Sequence, residues 1–149
     1  MERPASATHP KHTNIGVVGL GIIGRAIAEH LRRKGFSVFV WNRSPRPVPN
    51  FVGSPGELAE LCNHIQIFVS DDDALLQTVE QLNEKLTPRH VIFAHSTVAP
   101  DSMRAAGDIV GRRGARFVEA CFTGSKGAAE KGELVYYVGG TDEALREGR

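Results

Sequence analysis

Apolar residues in this chain cluster in short runs separated by longer stretches in which they recur at helical spacing. Runs at 15–18, 37–41, 65–69, 91–94, 116–120 and 134–138 have strand length, and 65–69, apolar but for Gln66, is expected to be a central parallel strand covered on both faces. Between them, Ala26, Ile27 and Leu31, then Leu58 and Leu61, then Leu75, Leu76, Val79 and Leu82 through Leu86, mark helical faces, and 101–111 reads as a further helix. Ser54, with Pro55 behind it and Glu57 three residues on, is a helix start of the capping-box type. Three prolines at 45, 47 and 49 forbid a helix after the second strand, and a short edge strand is expected at Phe51 and Val52. After the last run, residues 139–145 read as a turn and a capped helix start, and that helix is expected to continue past Arg149. Strands alternating with helices at these lengths predict an α/β fold of Rossmann type, a doubly wound and mostly parallel sheet over residues 14–149.

The first strand breaks into Gly19-Leu20-Gly21-Ile22-Ile23-Gly24 before the first helix. In that setting the three glycines have separate tasks: Gly19 permits a sharp turn, Gly21 lets a pyrophosphate approach the backbone, and Gly24 lets helix pack closely on strand. The helix that follows offers free N–H groups and the positive end of its dipole to the phosphates. A second strand ends about twenty residues on, where dinucleotide-binding proteins read the adenosine ribose. An acid there binds the 2′-hydroxyl and repels a 2′-phosphate, but this chain reads Trp41-Asn42-Arg43-Ser44. Arg43 offers a planar fork of donors, and Asn42 and Ser44 can add neutral hydrogen bonds, so NADP, as NADPH, is the expected cofactor.

The carboxyl ends of the other central strands extend this candidate cofactor site to Val69, Ser70 and Asp71. The run Asp71-Asp72-Asp73 opens a helix, where acids cap free N–H groups and meet the dipole, and no metal site is assigned to it.

Composition narrows the class without adding a site. A net charge of +1 and 41% hydrophobic residues give no bias toward nucleic acid, and no apolar run approaches the roughly twenty residues that span a bilayer. Residues 1–13 carry no hydrophobic signal core and are expected to form a polar, disordered arm. Cys62 and Cys121 match neither a metal-ligand spacing nor a disulfide framework, so reduced thiols in a cytoplasmic protein are expected.

Three motifs in order then resemble one family: the glycine fingerprint with Asn42-Arg43-Ser44, the turn Ser96-Thr97-Val98-Ala99-Pro100, and the segment from Phe117 to Leu134 containing Thr123-Gly124-Ser125-Lys126-Gly127. Together they resemble the β-hydroxyacid dehydrogenases, which include 3-hydroxyisobutyrate dehydrogenase, tartronate semialdehyde reductase and the glyoxylate and succinic semialdehyde reductases. The resemblance implies an NADP-dependent oxidoreductase that interconverts a small hydroxy acid and its semialdehyde or keto acid. It places Ser96 and Thr97 along the nicotinamide half of the cofactor, and makes Thr123, Gly124 and Ser125 a loop that holds the substrate carboxylate. It also implies that the catalytic acid is a Lys on a following all-helical domain absent from this chain, through which the protein would form a homo-oligomer. No catalytic residue is therefore assigned here, and the chain alone is expected to be inactive. His95, at the mouth of a strand, is weighed as a general acid against a packing or cofactor-contact role. The alternatives are an imine reductase and a non-catalytic NADPH-binding or interaction module.

Overall fold

The expected apolar runs all become strands, and they pair in an order that the chain itself does not follow. The computed structural model describes residues 14–123 and 135–139; at 121–123 and 135–139 it describes the path of the backbone. Its elements are β1 (Asn14–Val18), α1 (Ile22–Arg33), β2 (Ser37–Trp41), α2 (Pro55–Leu61), β3 (His64–Ile67), α3 (Asp72–Asn83), β4 (Val91–Ala94), α4 (Pro100–Gly111), β5 (Arg116–Thr123) and β6 (Val135–Gly139). They form one sheet in the order β2-β1-β3-β4-β5-β6. The first five strands are parallel, and β6 returns antiparallel along β5, with Thr123 opposite Val135.

Neighbouring residues of β1 face opposite sides of the sheet and seed two cores. On one side Val18, Ile65, Ile67 and Ile92 pack against Leu58 of α2, Leu75 and Leu82 of α3, and Met103 and Val110 of α4. Leu58, Leu75 and Leu82 have no exposed surface, and each such burial contributes about 1.5–3 kcal/mol. On the other side Val17, Val38 and Val40 pack with Ala28 of α1. Helices therefore lie on both faces, as doubly wound sheets require.

Local chemistry sets the helix starts. The Ser54 hydroxyl accepts from the Glu57 N–H at 3.1 Å, while the Glu57 carboxylate reaches past Ser54 to the Gly53 N–H at 2.9 Å. Asp71 caps α3 by accepting from the Ala74 N–H at 2.7 Å. The expected edge strand at Phe51 and Val52 is reduced to a single parallel bridge between Val40 and Phe51. The third strand also stops earlier than its apolar run: Phe68 still donates to the Val18 carbonyl at 2.7 Å, but Val69 has left the sheet.

Candidate functional site

The strand order reverses at β1, since β2 lies on one side of it and β3 on the other. In open parallel sheets the crevice beyond the carboxyl ends of the strands at such a point is where ligands bind. A cleft of about 740 Å³ lies there, within the range of small-molecule sites. Its floor is Val18, Gly19, Gly21, Ile23 and Gly24, one wall is residues 41–44, and the opposite wall is residues 68–71 with His95 and Thr97.

Within the glycine turn, Gly19 and Gly24 are crowded by backbone and Gly21 is not. Gly19 has φ of +96°, and a Cβ on it would stand 1.9 Å from the Phe68 carbonyl oxygen. A Cβ on Gly24 would stand 2.0 Å from the Gly19 carbonyl oxygen, so α1 begins pressed against the turn. Gly21 differs, because nothing lies within 4 Å of its Cβ position. The space over Gly21 is open to a ligand. Behind it, α1 has no side-chain cap and no acid in its first turn, which leaves its leading N–H groups for an incoming anion.

Asn42 takes a different part from the one its type suggests. Its amide oxygen accepts from the Leu20 N–H at 2.8 Å, and its amide nitrogen donates to the Ser44 carbonyl at 2.8 Å. Both polar ends therefore brace the turn and the following loop rather than stand ready for a phosphate. Arg43, exposed on the cleft wall, donates to Gln77 of α3 across the cleft at 3.3 Å.

Most of the expected cofactor residues meet here: Gly19, Gly21, Ile23, Gly24, Asn42, Arg43, Ser44, Val69, Ser70, Asp71 and Thr97 all line the cleft. Leu20, Ile22 and Ser96 are outside its lining. Leu20 is buried with its N–H on Asn42, and Ile22 turns outward with 65% exposure. Both border a separate shallow hollow with Arg25 and Arg46. Ser96 is 2% exposed, and its hydroxyl oxygen accepts from the Val69 N–H at 3.3 Å, which ties the loop after β3 to the loop after β4.

The residues that sequence reasoning missed are Val18, Trp41, Phe68 and a face of α3 made by Ala74, Gln77, Thr78 and Gln81. That face has helical spacing, 74, 77, 78 and 81, which was the one available signal.

His95 lies 6% exposed in the cleft wall with its ring stacked on Phe68, centroids 4.4 Å apart and planes 6° apart. Its Nε2 bonds to the Gln66 amide oxygen. Burial, and then the neighbouring His64, push its pKa down to about 3, so near neutrality it is an uncharged ring rather than the imidazolium that a general acid near neutral pH would be. Its surroundings show a packing role in the cleft wall. Cys62 is equally inert, its buried thiol pushed up to about 12.

Thr123 ends β5, at the same end of the sheet as the turn after β1 and the loops after β3 and β4. Gly124 and Ser125 lie outside the described residues, as does the expected helix start at 139–145 beyond Gly139. Among the described residues, no helix is long and apolar enough to cross a membrane.

Comparison with known proteins agrees with this geometry. The curated relatives include glyoxylate/succinic semialdehyde reductase 1 of Arabidopsis thaliana, 32% identical over 143 residues, which cover 89% of this chain and 49% of that protein. Another is the cytokine-like nuclear factor N-PAC of Mus musculus, 30% identical over 142 residues, covering 93% of this chain and 26% of that protein. Among solved structures, 3-hydroxyisobutyrate dehydrogenase of Mycobacterium tuberculosis shares the fold with a TM-score of 0.85 at 19% identity, over 92% of this chain and 50% of that one. The chain thus spans half or less of the length of these proteins. Residues 14–149 match the family model described as the NAD binding domain of 6-phosphogluconate dehydrogenase, and the chain belongs to that family.

Proposed function

We propose that this chain is the cofactor-binding part of an NADP-dependent oxidoreductase acting on a small hydroxy acid and its semialdehyde or keto acid. The observation that carries the cofactor is the cleft itself: an open position over Gly21 at an uncapped helix start, with Arg43 and no acid at the end of β2. Bound there, the nicotinamide would supply the hydride for reduction of the substrate carbonyl. The chain's own part is to hold and align. The N–H groups at the start of α1 would take the pyrophosphate, and Arg43 with the Ser44 hydroxyl would take the 2′-phosphate. Phe68, Val69 and the uncharged His95 ring would shield one side of the cleft from water, which strengthens electrostatic interactions inside it. The substrate carboxylate is assigned to Thr123, Gly124 and Ser125, and the proton to a Lys outside this chain, both on the family resemblance. Homo-oligomer formation and a cytoplasmic place belong to the same reading.

A second reading, a nucleotide-binding module that works through a partner rather than by turnover, is favoured by the similarity to the nuclear factor N-PAC. One pair of measurements separates them. Fluorescence titration of this chain with NADPH and NADH should show tighter binding of NADPH, and equal affinities would overturn the cofactor assignment. Absorbance assays with glyoxylate, succinic semialdehyde and tartronate semialdehyde should show no turnover by this chain alone, since general acid catalysis typically contributes about 10²–10⁴-fold. Turnover by a protein that carries this chain fused to a following helical domain with a Lys would support the enzyme over the module. Saturable turnover by residues 1–149 alone would refute the assignment of the proton donor.

A further inference from the structure

β3 breaks the apolar rule of a central strand. It reads His64-Ile65-Gln66-Ile67, and its two polar residues share one face with Val17 of β1, the face that α1 covers. On that face His64 stacks on Phe93, centroids 4.7 Å apart, and His95 stacks on Phe68 at the cleft. Gln66 joins the two rings: its amide nitrogen is 2.6 Å from His64 Nε2, and its amide oxygen is bonded to His95 Nε2.

With the amide in this orientation, the two bonds set where the protons sit. An amide nitrogen only donates, so His64 Nε2 accepts and its ring proton is on Nδ1. An amide oxygen only accepts, so His95 Nε2 carries its proton. The two histidines hold opposite tautomers, and turning the amide over would require both to exchange.

We propose that Gln66 is a positioning residue for the cleft: anchored by His64, it fixes His95 as the Nε2–H tautomer, flat on Phe68, before any ligand arrives. The inference rests on the reading of the cleft as the nucleotide site. A wall set in advance spares the ligand the ordering of a ring that could otherwise turn or present either nitrogen, which is worth roughly two- to tenfold in affinity.

The test reads the tautomers directly. Long-range proton–nitrogen correlation spectra of the ¹⁵N-labelled chain should show His95 as Nε2–H and His64 as Nδ1–H. Gln66→Leu should turn His95 into a mixture of tautomers and weaken NADPH by that roughly two- to tenfold, with far-UV dichroism unchanged. Gln66→Glu keeps an acceptor for His95 but loses the donor to His64, so His64 alone should switch to Nε2–H. His64→Phe, which keeps a ring on Phe93 but removes the acceptor, should loosen His95 in the same sense as Gln66→Leu, and it carries the test if that variant does not fold. His95 as Nδ1–H in the wild type, or as an undisturbed Nε2–H form in both Gln66→Leu and His64→Phe, would overturn the proposal. If the tautomers behave as stated but the wild type binds no nucleotide, the coupling stands and the reading of the cleft fails.

Discussion

Substituting the three glycines of the turn one at a time should separate folding from binding, because only one of them faces empty space. Gly21 has φ of −70° and ψ of −167°, a region open to any residue, and its Cβ position has no neighbour within 4 Å. Gly21→Val should therefore fold about as well as the wild type, since relieving glycine's entropy in the unfolded chain, worth about 0.4–1 kcal/mol, offsets valine's poorer fit at the N-cap of α1. Gly19→Ala is the opposite case. It meets both the positive φ and a contact of 1.9 Å with a carbonyl oxygen, so backbone strain of about 1–3 kcal/mol adds to a similar overpacking term. Gly24→Ala carries the overpacking term alone, at 2.0 Å from the Gly19 carbonyl oxygen. Binding should order differently. A valine over Gly21 fills the approach to the helix start, and a loss of about 2.7 kcal/mol or more, a hundredfold, is expected for NADPH. The assay is built in: Trp41 is the single tryptophan and lines the cleft, so energy transfer to bound NADPH reports affinity and urea melts report stability. A folded Gly21→Val chain that binds NADPH within a few-fold of wild type would refute the placement of the phosphates. Destabilisation of Gly21→Val equal to that of Gly19→Ala would refute the division of labour.

Three further outcomes are expected. Arg43→Ala should weaken NADPH about ten- to a hundredfold, from a charge-assisted bond of about 1.5–3 kcal/mol, and leave NADH nearly unchanged; paired titrations showing equal losses would count against the 2′-phosphate assignment. Asn42→Ala should weaken both cofactors together and lower stability by about 1–3 kcal/mol, since it leaves the Leu20 N–H without its acceptor; a loss confined to NADPH in the same titrations would return Asn42 to the phosphate. Below pH 6.5 an unfolded His95 takes up a proton that the folded one, with a pKa of about 3, refuses, so stability falls as pH drops from 6.5 toward 3. By pH 5 the loss is about 2 kcal/mol, readable as a shift in urea midpoint, and a His95→Phe chain with the same acid sensitivity would show that another group is responsible.

The fold was legible because its signals are local. Glycines that need a particular φ or a close approach, prolines that forbid a helix and apolar runs of strand length each act within a few residues. The errors come where one property serves two ends. Phe68 and Val69 extend the apolar run of β3, but they are apolar because they line the cleft after the strand has ended. Ser96 carries the hydroxyl expected of a cofactor contact, yet that hydroxyl ties two loops together from a buried position. Gln77 and Gln81 look like any polar helix face, and only the placement of α3 beside residues 41–44 gives them a cleft to line. The His64, Gln66 and His95 line joins β3 to the loop after β4, with Gln66 and His95 29 residues apart, which no short window along the chain could connect.

The loop after β2 is fastened at its two ends by groups that do not belong to its middle. Asn42 clips its start to Leu20, while Asn50 closes its end by accepting the Val40 N–H on its carbonyl at 3.0 Å and donating its side-chain amide to the Val38 carbonyl at 3.1 Å. Arg32 of α1 adds a bond to the Pro49 carbonyl at 2.9 Å. Between these clasps the side chains of Arg43, Ser44 and Arg46 are exposed, while Val48 packs against the core of Val17, Val38 and Val40. On the proposed reading of the cleft, an acid in place of the exposed Arg43 should shift cofactor preference while the Asn42 and Asn50 clasps and the Val48 packing stay as they are, so redox preference and folding would rest on different side chains of one loop.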